Sequence, residues 1–307
     1  MVKLTIFMAA IFFPLLLTAQ ERRGVRYKDD VFERIKVDKD LNYSEDDKAQ
    51  QKDHEFDLYQ PENDNVVNRP LIIWMHGGGF KFGSKGVHEA ELMCRTFAQR
   101  GYVCASINYR LSKSKFSFKF DDMQKSSYFA VQDARQAIEF FKKNHERFNI
   151  DPDKIVVAGN SAGGIMALLA AYTSDEELAR HTGVNVTMKA ALYNTERPEK
   201  VAAVVNFWGA IYRLDWLKNA RVPIVSICGN KDGIIPPTTS NGSMYGSVDI
   251  EKEAERAHIQ HSLKVFNGYS HELQVHFNPF FADKGTQERW KAAVQFACDF
   301  LYEQLFK

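Results

Sequence analysis

From residue 71 onward the chain carries short, almost uninterrupted apolar runs: 71–75 (L-I-I-W-M), 102–108, 154–158, 201–207 and 223–228. Runs this short and this apolar suit parallel strands buried on both faces of a sheet. Two earlier stretches, 32–38 and 54–59, alternate apolar with polar residues, the pattern of half-buried strands. Residues 262–266 predict an eighth strand. Segments of helical period lie between the runs, at 88–99, 128–148 and 165–172, and another, 288–306, closes the chain. This alternation predicts an α/β fold: a mostly parallel central sheet of about eight strands with helices on both faces. Asp151-Pro152-Asp153 supplies turn chemistry between the long helix and its following strand. No internal repeat and no linker rich in Gly, Ser or Pro divides the chain, so residues 20–307 are expected to form one catalytic domain.

The N-terminus differs in kind. Lys3 precedes an apolar run over 4–17, followed by Thr18, Ala19 and Gln20. The run of about 14 residues, interrupted by Pro14, is shorter than the ~20 that cross a bilayer as a helix. It reads as a signal peptide over residues 1–19, cleaved after Ala19, and predicts a secreted or periplasmic protein with no stable membrane anchor.

Charge and cysteine content narrow the partners. Lys plus Arg number 40 against 39 for Asp plus Glu, and no dense basic stripe is present, which argues against nucleic acid. Cys94, Cys104, Cys228 and Cys298 form no C-x-x-C pair, so neither a zinc knuckle nor a redox motif is indicated. Cys104 and Cys228 sit in strand-like runs, where a thiol behaves as a small hydrophobe, and buried free thiols are expected. No metal site and no cofactor is predicted.

Chemistry concentrates at the ends of the apolar runs. G-N-S-A-G, at 159–163, follows the strand at 154–158 and opens a helical segment, the context of a nucleophile elbow with Ser161 as nucleophile. A tight strand-to-helix turn without chemistry is the plainer alternative. H-G-G-G-F, at 76–80, follows the strand at 71–75, where glycines let backbone amides approach a developing oxyanion. In this fold the acid and the base follow the serine in that order. Asp232, in G-N-K-D-G directly after the strand at 223–228, fits the acid better than Asp215 or Asp249, neither of which immediately follows a buried strand. His271, in G-Y-S-H-E-L after the last strand, fits the base, with His276 as its rival. Arg110 and Asp133 are expected to form a structural ion pair.

Together, H-G-G-G-F, N-Y-R-L (108–111) and G-N-S-A-G-G resemble the hormone-sensitive-lipase-like esterases and their carboxylesterase relatives, from about His54 to His271. The resemblance implies the α/β-hydrolase fold and carboxylic ester hydrolysis, with oxyanion donors at Gly78, Gly79 and the amide of Ala162. Two departures stand out: Asn160 precedes the serine where the family commonly has an acidic residue, and S-K-S-K-F-S-F-K-F replaces a proline-rich stretch after Y-R-L.

Aromatic residues on three segments leaving the sheet are candidates for the pocket wall: Phe116, Phe118 and Phe120; Phe207 and Trp208; and Phe277, Phe280 and Phe281. The expected function is a serine ester hydrolase working through an acyl-enzyme on small-molecule or carbohydrate esters. A peptidase or amidase using the same triad, and a non-catalytic binding protein on a hydrolase scaffold, are the alternatives.

Overall fold

The computed structural model describes residues 24–44, 52–113, 119–185, 200–239 and 242–307 of the 307-residue chain. The leader expected at 1–19 lies outside the described residues. Eight strands form one sheet: β1 (Ile35–Asn42), β2 (Glu55–Pro61), β3 (Arg69–Met75), β4 (Val103–Ile107), β5 (Ile150–Asn160), β6 (Ala203–Phe207), β7 (Ile224–Gly229) and β8 (His261–Phe266). Their order across the sheet is β1-β2-β4-β3-β5-β6-β7-β8. The pairings β1 with β2 and β2 with β4 are antiparallel; the remaining pairings are parallel. The predicted fold class is therefore the observed one.

Among the described residues seven α-helices accompany the sheet: α1 (His88–Ala98), α2 (Phe120–Lys143), α3 (His145–Phe148), α4 (Ala162–Tyr172), α5 (Asp175–Thr182), α6 (Ser247–Arg256) and α7 (Lys284–Phe306). The two-residue period of β3 explains how both faces are filled. Leu71, Ile73 and Met75 join one core with residues of α2, α4 and α6, such as Ile138, Leu168 and Ile250. Ile72 and Trp74 join the other, with Phe97 of α1 and Val294 of α7. Every residue of β3 is buried. Such continuously apolar strands are stable only with helices on both sides.

The edge is built differently. β1 and β2 are paired with a register shift between Asp38 and Leu41, where Asp40 takes φ +56°. The buried Lys85 places its Nζ 2.7 Å from Asp57 and 2.5 Å from Asp40, tying this edge to the loop after β3. Asp133 on α2 is buried and accepts from the backbone amide of Arg110 (2.7 Å) and from Arg110 Nε (2.8 Å), the structural pair read from the sequence. All four cysteines are buried free thiols. Burial pushes the Cys228 thiol up to about 12, so it holds little reactive thiolate at neutral pH.

Two boundaries differ from expectation for local reasons. α2 begins at Phe120 rather than at 128, with Asp121 and Asp122 in its first turn complementing the helix N-terminus. β5 runs through Asp151-Pro152-Asp153 instead of starting after it. The turn chemistry survives inside the strand, as Asp153 N–H donates to Asp151 Oδ1 at 3.0 Å, and the β3 pairing shifts register there.

Candidate active site

Parallel strands β3, β5, β7 and β8 release their following loops at the same edge of the sheet, and the site is assembled from those four loops. Ser161 sits between β5 and α4 at φ +53°, ψ −116°, a conformation that side chains rarely adopt. Its own hydrogen bonds hold it there: Ser161 N–H donates to Phe207 O (2.9 Å), and Ile165 N–H donates to Ser161 O (3.0 Å). The turn also crosses the end of β3 at close range. A Cβ on Gly163 would stand 1.9 Å from the Met75 carbonyl oxygen, and one on Gly159 would stand 2.5 Å from it. Both positions therefore exclude any side chain.

The serine hydroxyl is one end of a hydrogen-bonded chain. His271 Nε2 lies 2.9 Å from Ser161 Oγ, and His271 Nδ1 lies 2.7 Å from Asp232 Oδ2. Asp232 and His271 are buried, while Ser161 keeps 9% exposure. The second carboxylate oxygen of Asp232 accepts from the amides of Ile234 and Ile235, each at 2.9 Å, so only Oδ2 is left to face the imidazole. That arrangement places the proton on Nδ1 and a lone pair on Nε2 toward the serine. The turn carrying His271 is clamped by α7: Trp290 Nε1 donates to Glu272 O (2.7 Å) and Arg289 Nε to Leu273 O (2.6 Å). His276, the rival base, is exposed and outside this chain of contacts.

The glycine loop after β3 faces the same serine turn. His76 is buried, and burial lowers its pKa to about 4, so it is neutral near pH 7. Its Nδ1 lies 2.7 Å from Gly77 O, while the Tyr109 hydroxyl donates to His76 O (2.7 Å) and its ring stacks on the imidazole at 4.3 Å. Gly78 O accepts from the amides of Lys81 and Phe82, each at 3.1 Å. Gly78 has φ +112°, and a Cβ there would lie 2.1 Å from Phe82 O, so only glycine allows this tight return. With the carbonyls so engaged, the amides of Gly78, Gly79 and Ala162 donate to no acceptor among the described residues. Ala162 is also the first residue of α4, where the helix dipole favours negative charge.

A match to the BD-FAE family model over residues 56–231 covers more than half of the chain, from β2 through the loop that approaches Asp232. The chain belongs to the BD-FAE family. A second model, the dienelactone hydrolase family, matches residues 182–301, which include Asp232 and His271. Among curated relatives, Gut esterase 1 of Caenorhabditis elegans is 34% identical over 110 residues, 34% of this chain and 19% of that protein. Esterase-5C of Drosophila pseudoobscura pseudoobscura is 30% identical over 128 residues, 42% of this chain and 23% of that protein. This BD-FAE member thus spans about a fifth of the length of those relatives. Solved structures similar in fold include Thermogutta terrifontis esterase 2 phosphorylated by paraoxon, at TM-score 0.61 and 20% identity over 89% of this chain and 95% of that one. A truncated carbohydrate esterase from gut microbiota gives TM-score 0.60 and 18% identity over 91% and 99%.

The aromatic positions in this BD-FAE chain divide by environment. Phe277 sets its ring edge-on to His271 at 5.1 Å, within the site. Phe280 and Phe281 are 95% and 69% exposed on the same segment. Phe207 is a correction to the sequence reading: it is fully buried and packs edge-on to Trp74 at 5.6 Å, facing core rather than cleft. Trp208 stacks on it at 5.4 Å and is buried in the same core, so a strand end rich in aromatics is consumed by packing. Phe120 is half-buried and meets Tyr212 edge-on at 6.1 Å. Phe116 and Phe118 lie outside the described residues. Among residues the sequence reading did not single out are Glu89 and Glu272, two carboxyls set near the base and the nucleophile turn. No motif marks them. Among the described residues no cluster of His, Cys, Asp and Glu is suited to hold a metal ion.

Proposed function

We propose that this chain is a serine carboxylic ester hydrolase working through an acyl-enzyme, with Ser161 as nucleophile, His271 as general base and Asp232 as the group that orients it. The observation that carries the reading is the continuous Ser161–His271–Asp232 hydrogen-bonded chain beside three unengaged amides. As Oγ attacks the ester carbonyl, its proton passes to His271 Nε2 and the carbonyl oxygen gains negative charge. In this reading the amides of Gly78, Gly79 and Ala162 donate to that oxygen, and fixed donors cost no reorganisation when charge develops. The imidazolium returns its proton to the leaving alcohol, and a water activated by the same base releases the acid.

The carbohydrate esterase among the similar folds supports acyl groups on carbohydrates as one substrate class, alongside small esters. The purified protein should hydrolyse nitrophenyl acetate or butyrate and release acetate from acetylated oligosaccharides, with no cleavage of peptide nitroanilides. Peptide cleavage without ester turnover would favour an amidase, and inactivity on every substrate would favour a binding protein. The reading also includes export: residues 1–19 are a signal peptide, and exported protein should begin at Gln20 rather than Met1. No described helix is long and apolar enough to cross a membrane.

A further inference from the structure

Asn160, the residue immediately before the nucleophile, is fully buried and donates from Nδ2 to Glu89 Oε2 at 2.6 Å. The same amide lies directly beneath the oxyanion loop, since a Cβ on Gly77 would come within 2.7 Å of Nδ2. Two atoms of this contact are left over. Glu89 Oε1 and Asn160 Oδ1 are both shut off from solvent, and neither has a hydrogen-bond partner among the described residues. Both are acceptors when Glu89 is ionised, so neither can serve the other. A proton on Oε1 turns it into a donor, and the carboxamide then presents the matching acceptor.

We propose that Glu89 is a neutral carboxylic acid joined to the Asn160 carboxamide by two hydrogen bonds, and that this acid–amide pair braces the nucleophile turn against the oxyanion loop. Glu89 is a positioning residue, reaching the chemistry only through Asn160 and Ser161. Desolvation of the carboxyl raises its pKa well above the usual carboxylate range, and the nearby Glu272 carboxyl raises it further; the Asn160 bond opposes them and is the smaller effect. The ionisable groups around it are Glu272, on the turn that also carries His271 and faces Asp232, and Tyr109, whose hydroxyl feels Glu89 from the segment after β4. An ionised Glu89 would hold a buried oxygen with no donor, a costly state. The pairing also fits asparagine at this position, since a carboxyl in place of the Asn160 amide would bring no N–H to Glu89.

The pair itself is independent of the esterase reading, and its positioning role rests on that reading. Infrared difference spectroscopy of the wild-type protein at pH 7 should show the carbonyl stretch of a protonated carboxylic acid. Glu89→Gln should remove that band, and Glu272→Gln should leave it. A wild-type spectrum with carboxylate bands alone, or a band lost with Glu272 instead, overturns the pair. Stability gives a second readout. Because the folded-state pKa lies above the unfolded value of about 4.3, the wild type is favoured at low pH and loses stability as pH rises from there toward the folded value. Glu89→Gln retains two complementary hydrogen bonds and cannot ionise, so it should lack that loss and overtake the wild type on the alkaline side. Parallel stability curves for the two proteins would contradict the proposal. For the positioning role, kcat on a short ester should fall at alkaline pH in the wild type as the pair opens and hold in Glu89→Gln. An alkaline limb identical in both would rule that role out, even with the infrared band present.

Discussion

Ser161→Ala should lower kcat/KM on a short acyl ester by roughly a million-fold, the order lost when the nucleophile of a serine hydrolase is removed. What remains is the contribution of substrate binding and of the three amides, on the order of a thousand-fold over water. The loss is chemical and not structural. Ser161 Oγ has the His271 imidazole as its side-chain partner, while the backbone bonds to Phe207 and from Ile165 do not depend on the hydroxyl. Alanine inherits the strained φ of +53°, whereas glycine adopts it freely. Ser161→Gly should therefore be inactive yet more stable than Ser161→Ala by about 1 kcal/mol, measured by denaturant unfolding. Two inactive proteins of equal stability would show that the elbow holds no strain.

Asp232→Asn should cost about ten-thousand-fold in kcat with little change in stability. The two ends of the carboxylate explain the size of the effect. Oδ1 accepts from the amides of Ile234 and Ile235, which fixes the carbonyl end of an introduced asparagine at that position. Its amino group then points at His271 Nδ1, where only a lone pair can receive it. The imidazole switches tautomer, carries its proton on Nε2 toward Ser161 and can no longer take one from the hydroxyl. Activity within tenfold of wild type would remove Asp232 from the catalytic chain. It would direct attention to Glu272, whose carboxyl also interacts with His271.

Much of this site could be read in the sequence because its parts obey local rules. The strand, G-N-S-A-G and helix are contiguous, and the short contacts of Gly159 and Gly163 with β3 give the physical reason for glycine at both places. Asp232 is legible from its position just beyond the buried strand β7, and His271 from its place after the last strand and after the acid. The central strands are legible for a related reason, since β3, β4, β6, β7 and the second half of β5 are buried on both faces and read as short, mostly apolar runs. α5 and α6 were not identified. α5 is only eight residues, begun by a capping box of Ser174 and Glu177, and α6 is a ten-residue polar helix whose buried apolar residues are Ile250 and Ala254. Phe207 looked like pocket wall because it ends a strand near the serine, but side-chain alternation turns its ring onto Trp74. The Glu89–Asn160 contact joins residues 71 positions apart through a helix that carries no motif, so only the assembled fold reveals it.

The central claim is that Ser161 is the nucleophile that accepts the acyl group, and its most direct test is covalent trapping. The purified chain is incubated with paraoxon, the reagent that phosphorylated the Thermogutta terrifontis esterase of similar fold, and analysed by intact mass and peptide mapping. The account predicts one diethylphosphoryl group per chain, located on Ser161, with ester turnover lost in step with labelling and no adduct on Ser161→Ala. A chain that stays unmodified, or one inactivated by an adduct at another residue, would contradict it.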